Sequence, residues 1–477
     1  MTKNTKIATL ASLASLSSQS SSSSSSQTTS TSDQKGNGKG KLNVLLTGAT
    51  GFVGSNCLRP MLDSNQYRVF ALVRNRHKVD GSTQSRQMPK EFRQFSSNPS
   101  FSILVGDIVD LDLDAAHQGK VIEHLRKLII SHRIHIIVHL AAAMEFYPGD
   151  QHIVYMTNVI GTKNLLEASI YRKHKGGGDG DGSDSDSDSE ESEQDSDDSD
   201  GEALPKVVDH PLIKRFIYIS STEAMGGCPP SPGVLRSETS RDNPPNFYYG
   251  ETKLQGEEHV RATEQDYGLD TMIVRLTGVF GRSDDFSMFE LIQAISYGLI
   301  FFIPSFATGS VMYTHIDDVV HGIMLAMKKK RSSLDVSNKS DLPYTYIIAP
   351  DKGLSYREVI IYINEKLNRM KPRLVLPGVI VQGAIGLVGK LIYRFKNKQF
   401  LFQPKTLERM SEDRMFNNER AKRELGFKPQ YTFKQGLNVT IEEYLENDRI
   451  SYYPVSPLFI GFIMLILFIK FMSWDMF

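Results

Sequence analysis

Cysteine and tryptophan are scarce in this chain. Its 477 residues include two cysteines, Cys57 and Cys228, and a single tryptophan. Two cysteines exclude a disulfide-stapled fold and suit a reducing compartment. The sequence also lacks the Cys/His spacings typical of zinc sites and the basic–aromatic patterns typical of nucleic-acid binding. We therefore expect neither a metal nor a nucleic acid as a partner, and the length predicts one large core with appendages.

Net charge is also lacking, but the balance hides an uneven distribution. Of the 55 acidic residues that offset 55 basic ones, 13 lie in residues 176–202, where Lys and Arg are absent. The rest of the chain is therefore basic, which suits an anionic membrane surface or a phosphorylated cofactor. Because such an acidic segment cannot bury apolar surface, residues 175–206 are predicted to be a disordered insert. Its seven serines leave two interpretations open, a phosphorylated segment and a tolerated low-complexity loop.

The two ends of the chain differ in composition. Residues 1–41 are rich in serine and predicted to be disordered, and they lack the arginine of a mitochondrial presequence. Residues 457–469 form an apolar run shorter than the ~20 residues of a typical span. Residues 452–474 reach that length if their lysine snorkels and flanking aromatic residues lie at the interfaces. We predict that residues 451–477 anchor the chain to a membrane, with a buried core helix as the alternative. A second apolar stretch, residues 374–393, is predicted to form an interfacial or substrate-channel helix.

The first chemical signal is a glycine-rich turn after an apolar strand. Gly48, Gly51 and Gly54 have the spacing GxxGxxG. Gly48 permits a sharp turn, Gly51 permits close approach of backbone N–H groups to a pyrophosphate, and Gly54 permits tight packing of the next helix. The helix start at Phe52 and Val53 adds unpaired donors and a positive dipole end that favour phosphate. The motif predicts a dinucleotide site, and a glycine-rich turn without a ligand is the alternative.

A second signal is a tyrosine–lysine pair in a helix predicted at residues 246–261. Tyr249 and Lys253 are four residues apart, so their side chains lie on one helix face. A tyrosine has a pKa near ~10 and is a weak base at neutral pH, but an adjacent ammonium group favours the phenolate. The pair is therefore predicted to exchange a proton with a substrate hydroxyl or carbonyl. Taken alone, the same spacing also fits a solvated helix face.

The strand predicted at residues 216–219 ends in three hydroxyl residues, Ser220, Ser221 and Thr222. In a doubly wound sheet, ligands bind at the carboxyl ends of the strands. One of these hydroxyls is therefore expected to hold a substrate oxygen near Tyr249. A Ser/Thr turn that caps a helix is the alternative.

The order of short motifs along the chain is specific. TGATGFVG, GDI, HLAA, NVIGT, ISSTEAMGG, YYGETK and HIDDVV follow one another within residues 42–445. In this order they resemble the extended short-chain dehydrogenases/reductases, the NAD-dependent epimerase/dehydratase superfamily. The segment NNERAKRELGFKP and the apolar tail are most similar to the 3β-hydroxysteroid dehydrogenase and sterol-4α-carboxylate 3-dehydrogenase branch. The resemblance implies an α/β fold with a doubly wound parallel Rossmann sheet at residues 42–285 and a smaller substrate-binding region at residues 286–450.

The resemblance also implies a catalytic set of Thr222, Tyr249 and Lys253. Tyr249 would be the acid/base, Lys253 its partner and a ribose ligand, and Thr222 would orient the substrate. Asp107 and Ile108, in the segment LVGDIVD, would lie against the adenine of the cofactor.

Three further positions bear on the cofactor. By the same resemblance, Ala141 would line the cofactor groove and Asn158 would support the active-site helix. The strand YRVFALV ends in Arg74 rather than in Asp or Glu. An acidic residue there would bind the ribose 2′-hydroxyl of NAD, whereas arginine suits the 2′-phosphate of NADP. We therefore expect NADP to be preferred over NAD, with a solvated arginine as the alternative.

A cluster of His315, Asp317 and Asp318 invites a metal-site interpretation. Their position at the start of a predicted helix favours capping instead, because aspartate at a helix N-terminus accepts hydrogen bonds from free backbone N–H groups.

The expected function is oxidation or reduction of a sterol or another lipid alcohol or ketone. The predicted anchor implies the cytosolic face of the endoplasmic reticulum or lipid droplets. Similarity of ALVRN and HLAAAMEF to thioester and fatty acyl reductases keeps an acyl substrate open. A nucleotide-sugar epimerase or reductase and a non-catalytic NAD(P)-sensing scaffold also stay open, as does a homodimer.

Overall fold

The computed structural model describes the chain in ten segments, which are residues 40–74, 93–95, 97–144, 151–171, 209–226, 233–240, 244–245, 247–331, 342–396 and 409–450. The insert predicted at residues 175–206, the anchor predicted at residues 451–477 and nearly all of residues 1–41 lie outside the described residues. The disorder and the membrane attachment expected of these segments therefore stay predictions.

Within the described residues, the central layer is a parallel sheet of seven strands. The strands of the described residues, both inside and outside this sheet, are in chain order β1 (Leu42–Thr47), β2 (Tyr67–Val73), β3 (Phe101–Val105), β4 (Ile136–His139), β5 (Ile170–Tyr171), β6 (His210–Pro211), β7 (Arg215–Ser221), β8 (Thr271–Leu276), β9 (Gly278–Phe280), β10 (Phe302–Pro304), β11 (Ser310–Val311), β12 (Tyr313–His315), β13 (Thr345–Ile348), β14 (Leu354–Ser355) and β15 (Leu374–Leu376). The central sheet has the order β13-β8-β7-β4-β1-β2-β3. Its order reverses between β1 and β4, which is where doubly wound sheets bind ligands. The predicted doubly wound α/β fold is confirmed.

Helices cover both faces of this sheet. In chain order they are α1 (Phe52–Asp63), α2 (Gly119–Ser131), α3 (Gln151–Tyr155), α4 (Gly161–Ala168), α5 (Tyr248–Tyr267), α6 (Ser287–Ser296), α7 (Ile316–Lys328), α8 (Tyr356–Lys366), α9 (Gly378–Lys396) and α10 (Phe433–Glu446). One buried cluster joins α1 and α7 to the sheet, and a second joins α2, α4 and α5 to it. Leu125 and Ile129 of α2 are buried, as their helical spacing predicts. Burial of each such side chain contributes about 1.5–3 kcal/mol.

The predicted boundary between residues 285 and 286 is not a boundary of the sheet. Strand β13, which falls in the predicted substrate region, pairs in parallel with β8 and completes one side of the central sheet. Helix α7 packs in the same buried cluster as α1. The C-terminal region contributes a third cluster of its own, built by α6, α8 and α10. The two predicted regions therefore interleave along the chain, because strand pairing rather than chain order assembles the sheet.

The apolar stretch predicted as one helix over residues 374–393 divides into two elements. Strand β15 pairs with β10, Pro377 follows, and α9 begins at Gly378. Proline has no N–H for a strand ladder but is well suited to the residues around a helix start. Among the described helices, none combines the length and apolar character that a membrane crossing requires.

Candidate active site

The glycine turn after β1 has the shape of a phosphate cradle. Gly48 has a positive φ of 68°, and a Cβ atom there would lie 2.7 Å from the backbone nitrogen of Ala141. A Cβ atom on Gly54 would overlap the Gly48 carbonyl, so only glycines fit this contact between turn and helix. Gly51 donates its N–H to the Gly48 carbonyl over 2.9 Å and precedes α1 without a side-chain cap. The first-turn N–H groups of α1 therefore suit the pyrophosphate of a dinucleotide.

Arg74 and Asp107 meet at the carboxyl ends of β2 and β3. Arg74 Nε lies 4.0 Å from Asp107 Oδ2, and their side chains are 59% and 36% exposed. Asp107 Oδ1 accepts the N–H of Ile108 at 2.8 Å. Burial raises the pKa of Asp107, and the Arg74 guanidinium opposes that rise. The fold thus brings together the residues predicted to lie at the adenosine end of the cofactor.

A buried polar chain holds the groove between β1 and β4. Thr47 Oγ1 lies 2.7 Å from His139 Nδ1, and His139 Nε2 lies 3.0 Å from Thr162 Oγ1. Burial, assisted by the positive charge of Lys253, lowers the pKa of His139 to about 3, so this imidazole is neutral. Thr47 Oγ1 also accepts the N–H of Ala141 at 3.1 Å. The contact fixes Ala141 at the groove where the resemblance places it.

Asn158 connects this groove to the helix that carries the predicted catalytic pair. It lies in a π-helical turn, Met156–Ile160, and exchanges hydrogen bonds of 2.8 and 2.9 Å with the backbone of Ala143. Its Nδ2 also donates to Thr252 Oγ1 at 2.9 Å. Thr252 precedes the predicted catalytic lysine directly, so Asn158 contacts the helix that it is predicted to support.

Tyr249 lies partly buried at the start of α5, with the Ser221 side chain beside its hydroxyl. Burial and the charge of Glu223 raise the pKa of Tyr249, and the Ser221 side chain opposes that rise. Arg414 contacts the Glu223 carboxylate at 2.5 Å, and Arg409 contacts its other oxygen. Burial opposes ionisation of Glu223, but both guanidinium groups outweigh it and lower its pKa. Tyr249 is therefore a phenol in this arrangement and a proton donor.

Lys253 has partners that its sequence spacing did not predict. Its Nζ donates to the Ile219 carbonyl at 2.6 Å and lies 4.4 Å from the centre of the Tyr218 ring. Burial lowers the pKa of Lys253 to about 7, and the Glu257 carboxylate opposes this shift. The predicted stabilisation of a Tyr249 phenolate by Lys253 is corrected, because the ammonium group is directed at β7 and burial dominates the pKa of the tyrosine.

Glu257 lies one further turn along α5 and is fully buried. It was not predicted from the sequence as a residue of the site. Its carboxylate accepts hydrogen bonds from Arg275 at 2.7 and 2.8 Å, from Ser220 at 2.6 Å and from Arg261 at 2.5 Å. Burial opposes ionisation, but Arg275 outweighs it, and the pKa of Glu257 is lowered to about 2. The four-residue spacing from Lys253 was the available signal. The ion pair joins the active-site helix to β7 and β8.

Ser221 is the hydroxyl residue beside the Tyr249 hydroxyl, and the role predicted for Thr222, orientation of the substrate, stays a prediction. Thr222 is 4% exposed and begins a 3₁₀ turn, Thr222–Met225, which Ser221 caps by accepting the N–H of Glu223 at 3.2 Å. Successive residues of a strand point to opposite faces. The two serines at the end of β7 accordingly have different partners on α5, since Ser220 donates to Glu257 at 2.6 Å and Ser221 lies beside Tyr249.

The acidic residues at the start of α7 do not cap it as predicted. The His315 ring accepts the N–H of Asp317 at 3.4 Å, and Asp317 pairs with Arg282 at 2.6 Å. Asp318 accepts backbone N–H groups of residues 430–431 at 2.7 and 3.1 Å. Histidine supplies the cap because both carboxylates are engaged by other segments. Among the described residues, no group of three or more His, Cys, Asp or Glu is placed to hold a metal ion.

A comparison with protein-family models decides the class of this site. Residues 44–338 match the NAD dependent epimerase/dehydratase family. The chain belongs to this family. Its resemblance to extended short-chain dehydrogenases/reductases is thereby confirmed, and it is an NAD(P)-dependent enzyme of that type. The glycine cradle and the open start of α1 fit the cofactor of the family.

Relatives named as steroid dehydrogenases and relatives named as nucleotide-sugar enzymes both match this chain. A 3 beta-hydroxysteroid dehydrogenase/Delta 5-->4-isomerase from Mycobacterium tuberculosis is 23% identical over 408 residues, covering 84% of this chain and 90% of the relative. A 3beta-hydroxysteroid-dehydrogenase/decarboxylase from Arabidopsis thaliana is 26% identical over 49% of this chain and 53% of the relative. The dTDP-glucose 4,6-dehydratase of Escherichia coli is 23% identical over 85% of this chain and 93% of the relative.

Solved structures show the same fold. The dTDP-glucose 4,6-dehydratase of Bacillus anthracis, in complex with NAD, has a TM-score of 0.54 at 20% identity and covers 86% of this chain and 98% of that one. The UDP-glucose 4-epimerase of Thermotoga maritima, with UDP-glucose, has a TM-score of 0.55 at 18% identity and covers 85% and 99%.

Proposed function

We propose that this enzyme interconverts a hydroxyl and a ketone on a sterol or a related lipid by hydride transfer with NAD(P). The observation that carries the proposal is the match to a relative named as a 3 beta-hydroxysteroid dehydrogenase along 84% of this chain and 90% of that relative. Tyr249, Lys253 and Ser221 supply the proton chemistry that such a reaction needs.

Residues of the described site carry the binding and proton-transfer steps of the proposed reaction. The substrate oxygen binds between the hydroxyls of Tyr249 and Ser221. In reduction the Tyr249 phenol donates its proton to the oxygen of the alcohol that hydride transfer forms, and in oxidation the hydroxyl proton of the substrate passes to a Tyr249 phenolate that has released its own proton to solvent. Lys253, with a pKa lowered by burial to about 7, is poised to exchange a proton at neutral pH. The bound nicotinamide supplies hydride acceptance and donation. The Gly48 turn, Arg74 and Asp107 would hold the rest of the dinucleotide.

A nucleotide sugar is the second candidate substrate. It is favoured by the Escherichia coli relative and by two arginines, Arg409 and Arg414, which lie beside Glu223 close to Tyr249. Guanidinium groups suit a diphosphate. Here the pair already shares one carboxylate, so the phosphate would have to compete with Glu223.

The substrate class is tested by supplying purified enzyme with both cofactors and two substrate sets. We expect 3β-hydroxysteroids to yield ketone together with reduced nicotinamide, and UDP- and dTDP-sugars to be recovered unchanged by chromatography, since an epimerase or a dehydratase would convert the sugar without net reduction of the cofactor. Conversion of a nucleotide sugar without conversion of any steroid would contradict the proposal.

We further propose that NADP is preferred because of Arg74. Arg74→Asp is expected to weaken NADP binding about tenfold or more, since a charged hydrogen bond to the 2′-phosphate is lost and a carboxylate replaces it. NAD binding should be unchanged or stronger. Fluorescence titration of both cofactors measures the ratio. Arg68→Asp, the same charge change at an exposed position of β2, is the control. An unaltered NADP to NAD ratio in the Arg74 variant would show that this arginine is merely solvated.

Membrane attachment through residues 451–477 is likewise a proposal, and it places the enzyme on the cytosolic face of the endoplasmic reticulum or on lipid droplets. Truncation is best made after Ile450. Ile450 is 3% exposed, and Arg449 donates to the Asp284 carbonyl at 2.7 Å, so an earlier cut would damage the fold. We expect the full chain to resist carbonate extraction and the truncated chain to be released with intact dinucleotide binding. Full-length protein in the carbonate supernatant would argue for a core or dimer helix instead.

A further inference from the structure

We propose that one face of the folded C-terminal region docks on an anionic lipid bilayer. This face, called the β15–α9 face, consists of six residues: Leu299, Met370, Leu374, Val375, Val379 and Ile380. The inference rests on the proposed lipid function for its choice of partner, and it adds a contact surface separate from residues 451–477.

The β15–α9 face concentrates exposed apolar side chains. Their exposed fractions are Leu299 48%, Met370 65%, Leu374 51%, Val375 46%, Val379 81% and Ile380 57%. Five of the six lie within residues 370–380, and Leu299 lies three residues before β10, the strand that pairs with β15. Single exposed apolar residues are ordinary on a protein surface, whereas several exposed along one short segment indicate an interaction site.

Well-formed contacts hold this face in place. The Gly378 N–H donates to Ser305 Oγ at 3.0 Å, and a Cβ atom on Gly378 would lie 2.8 Å from the Phe306 ring. Val381 is 3% exposed. The start of α9 is therefore packed on its inner side, and the exposure of Val379 and Ile380 is not caused by loose attachment.

The charge around the face selects the partner. Residues 366–396 contain seven Lys and Arg and no Asp or Glu. Arg373 is exposed and lies between Met370 and Leu374 in the sequence. Lys371 is also exposed, and it forms an ion pair with Glu365 at 2.8 Å. Apolar side chains bordered by cations are typical of surfaces that lie in the interface of an anionic membrane. A water-insoluble substrate would then meet the enzyme at the bilayer surface.

The test places a fluorophore on the face in the full-length chain. Val379→Cys is combined with Cys228→Ser and labelled with an environment-sensitive dye. Cys57 does not compete for the dye, because burial raises the pKa of its thiol to about 12. Ile130→Cys, at a 54% exposed position of α2, is the matched control. Vesicles of phosphatidylcholine alone are compared with vesicles that also contain phosphatidylserine, and spin-labelled lipid serves as the quencher.

Docking predicts a blue shift and lipid quenching at position 379 with phosphatidylserine vesicles, weakened by salt, and neither effect at position 130. Arg373→Gln should raise the half-saturating lipid concentration about fivefold, and Lys127→Gln should leave it unchanged. Water-like emission at position 379 on anionic vesicles would overturn the inference. So would a blue shift that follows protein concentration without lipid, which would identify a second copy of the chain as the occupant. The readout involves no turnover, so a chain that docks but leaves steroids unconverted removes the proposed substrate and retains the surface.

Discussion

Replacing Tyr249 by phenylalanine is expected to lower turnover about 10²-fold or more while dinucleotide affinity stays nearly unchanged. Phenylalanine keeps the ring, whose centre lies 6.4 Å from that of Phe247, and removes the hydroxyl that lies beside Ser221. The proton that accompanies hydride transfer then loses the group that donates or accepts it directly. Dinucleotide affinity should persist because the Gly48 cradle is untouched. Steady-state turnover and fluorescence titration of the cofactor measure the two effects separately.

Tyr248→Phe is the matched control for this experiment. It removes the same hydroxyl group from the adjacent residue of α5, which points to another side of the helix. We expect its turnover to stay within a few-fold of the wild type. Near-normal turnover of the Tyr249 variant would remove Tyr249 as the acid/base and reopen the non-catalytic scaffold.

Replacing Arg275 by alanine is expected to lower the free energy of unfolding by about 3–5 kcal/mol. Arg275 is 2% exposed and binds the fully buried Glu257 carboxylate through two hydrogen bonds. Its removal leaves a buried charge with Ser220 and Arg261 as remaining partners. The loss is measured by urea unfolding followed by circular dichroism.

Arg261→Ala removes a second, more exposed partner of the same carboxylate. The Arg261 side chain is 21% exposed, against 2% for Arg275, and makes one hydrogen bond to Glu257 rather than two, so its loss should cost less than the loss of Arg275. Equal losses for the two variants would contradict the assignment of Arg275 as the partner that stabilises Glu257.

Local features of the site could be predicted from the sequence because they depend on near neighbours. The glycine turn at Gly48 needs only the strand before it and the helix after it. Arg74 follows its strand directly, and Asn158 lies where its motif implies. The sheet was predictable for the same reason, since apolar strands separated by helices specify a parallel arrangement.

The features of the site that the sequence did not predict all involve contacts between distant segments. Lys253 donates to the carbonyl of Ile219, 34 residues earlier, and this partner is fixed by the packing of α5 on β7. Ser220 donates to Glu257, 37 residues later, and the packing of α5 on the end of β7 fixes this partner too. Asp318 is withdrawn from capping by residues 430–431, more than a hundred positions away. Spacing along one segment cannot specify which side chain a second segment will engage.

The most direct test of the central claim follows the hydride itself. A 3β-hydroxysteroid carrying deuterium on the carbon that bears the hydroxyl is incubated with the full-length enzyme and NAD or NADP. Mass spectrometry then quantifies the ketone and the deuterium in the reduced dinucleotide. The account predicts one deuterium transferred for each ketone formed, and formation of both products about 10²-fold slower or more with the Tyr249→Phe variant. Ketone formation without deuterium in the dinucleotide, or equal transfer by the Tyr249→Phe variant, would contradict it.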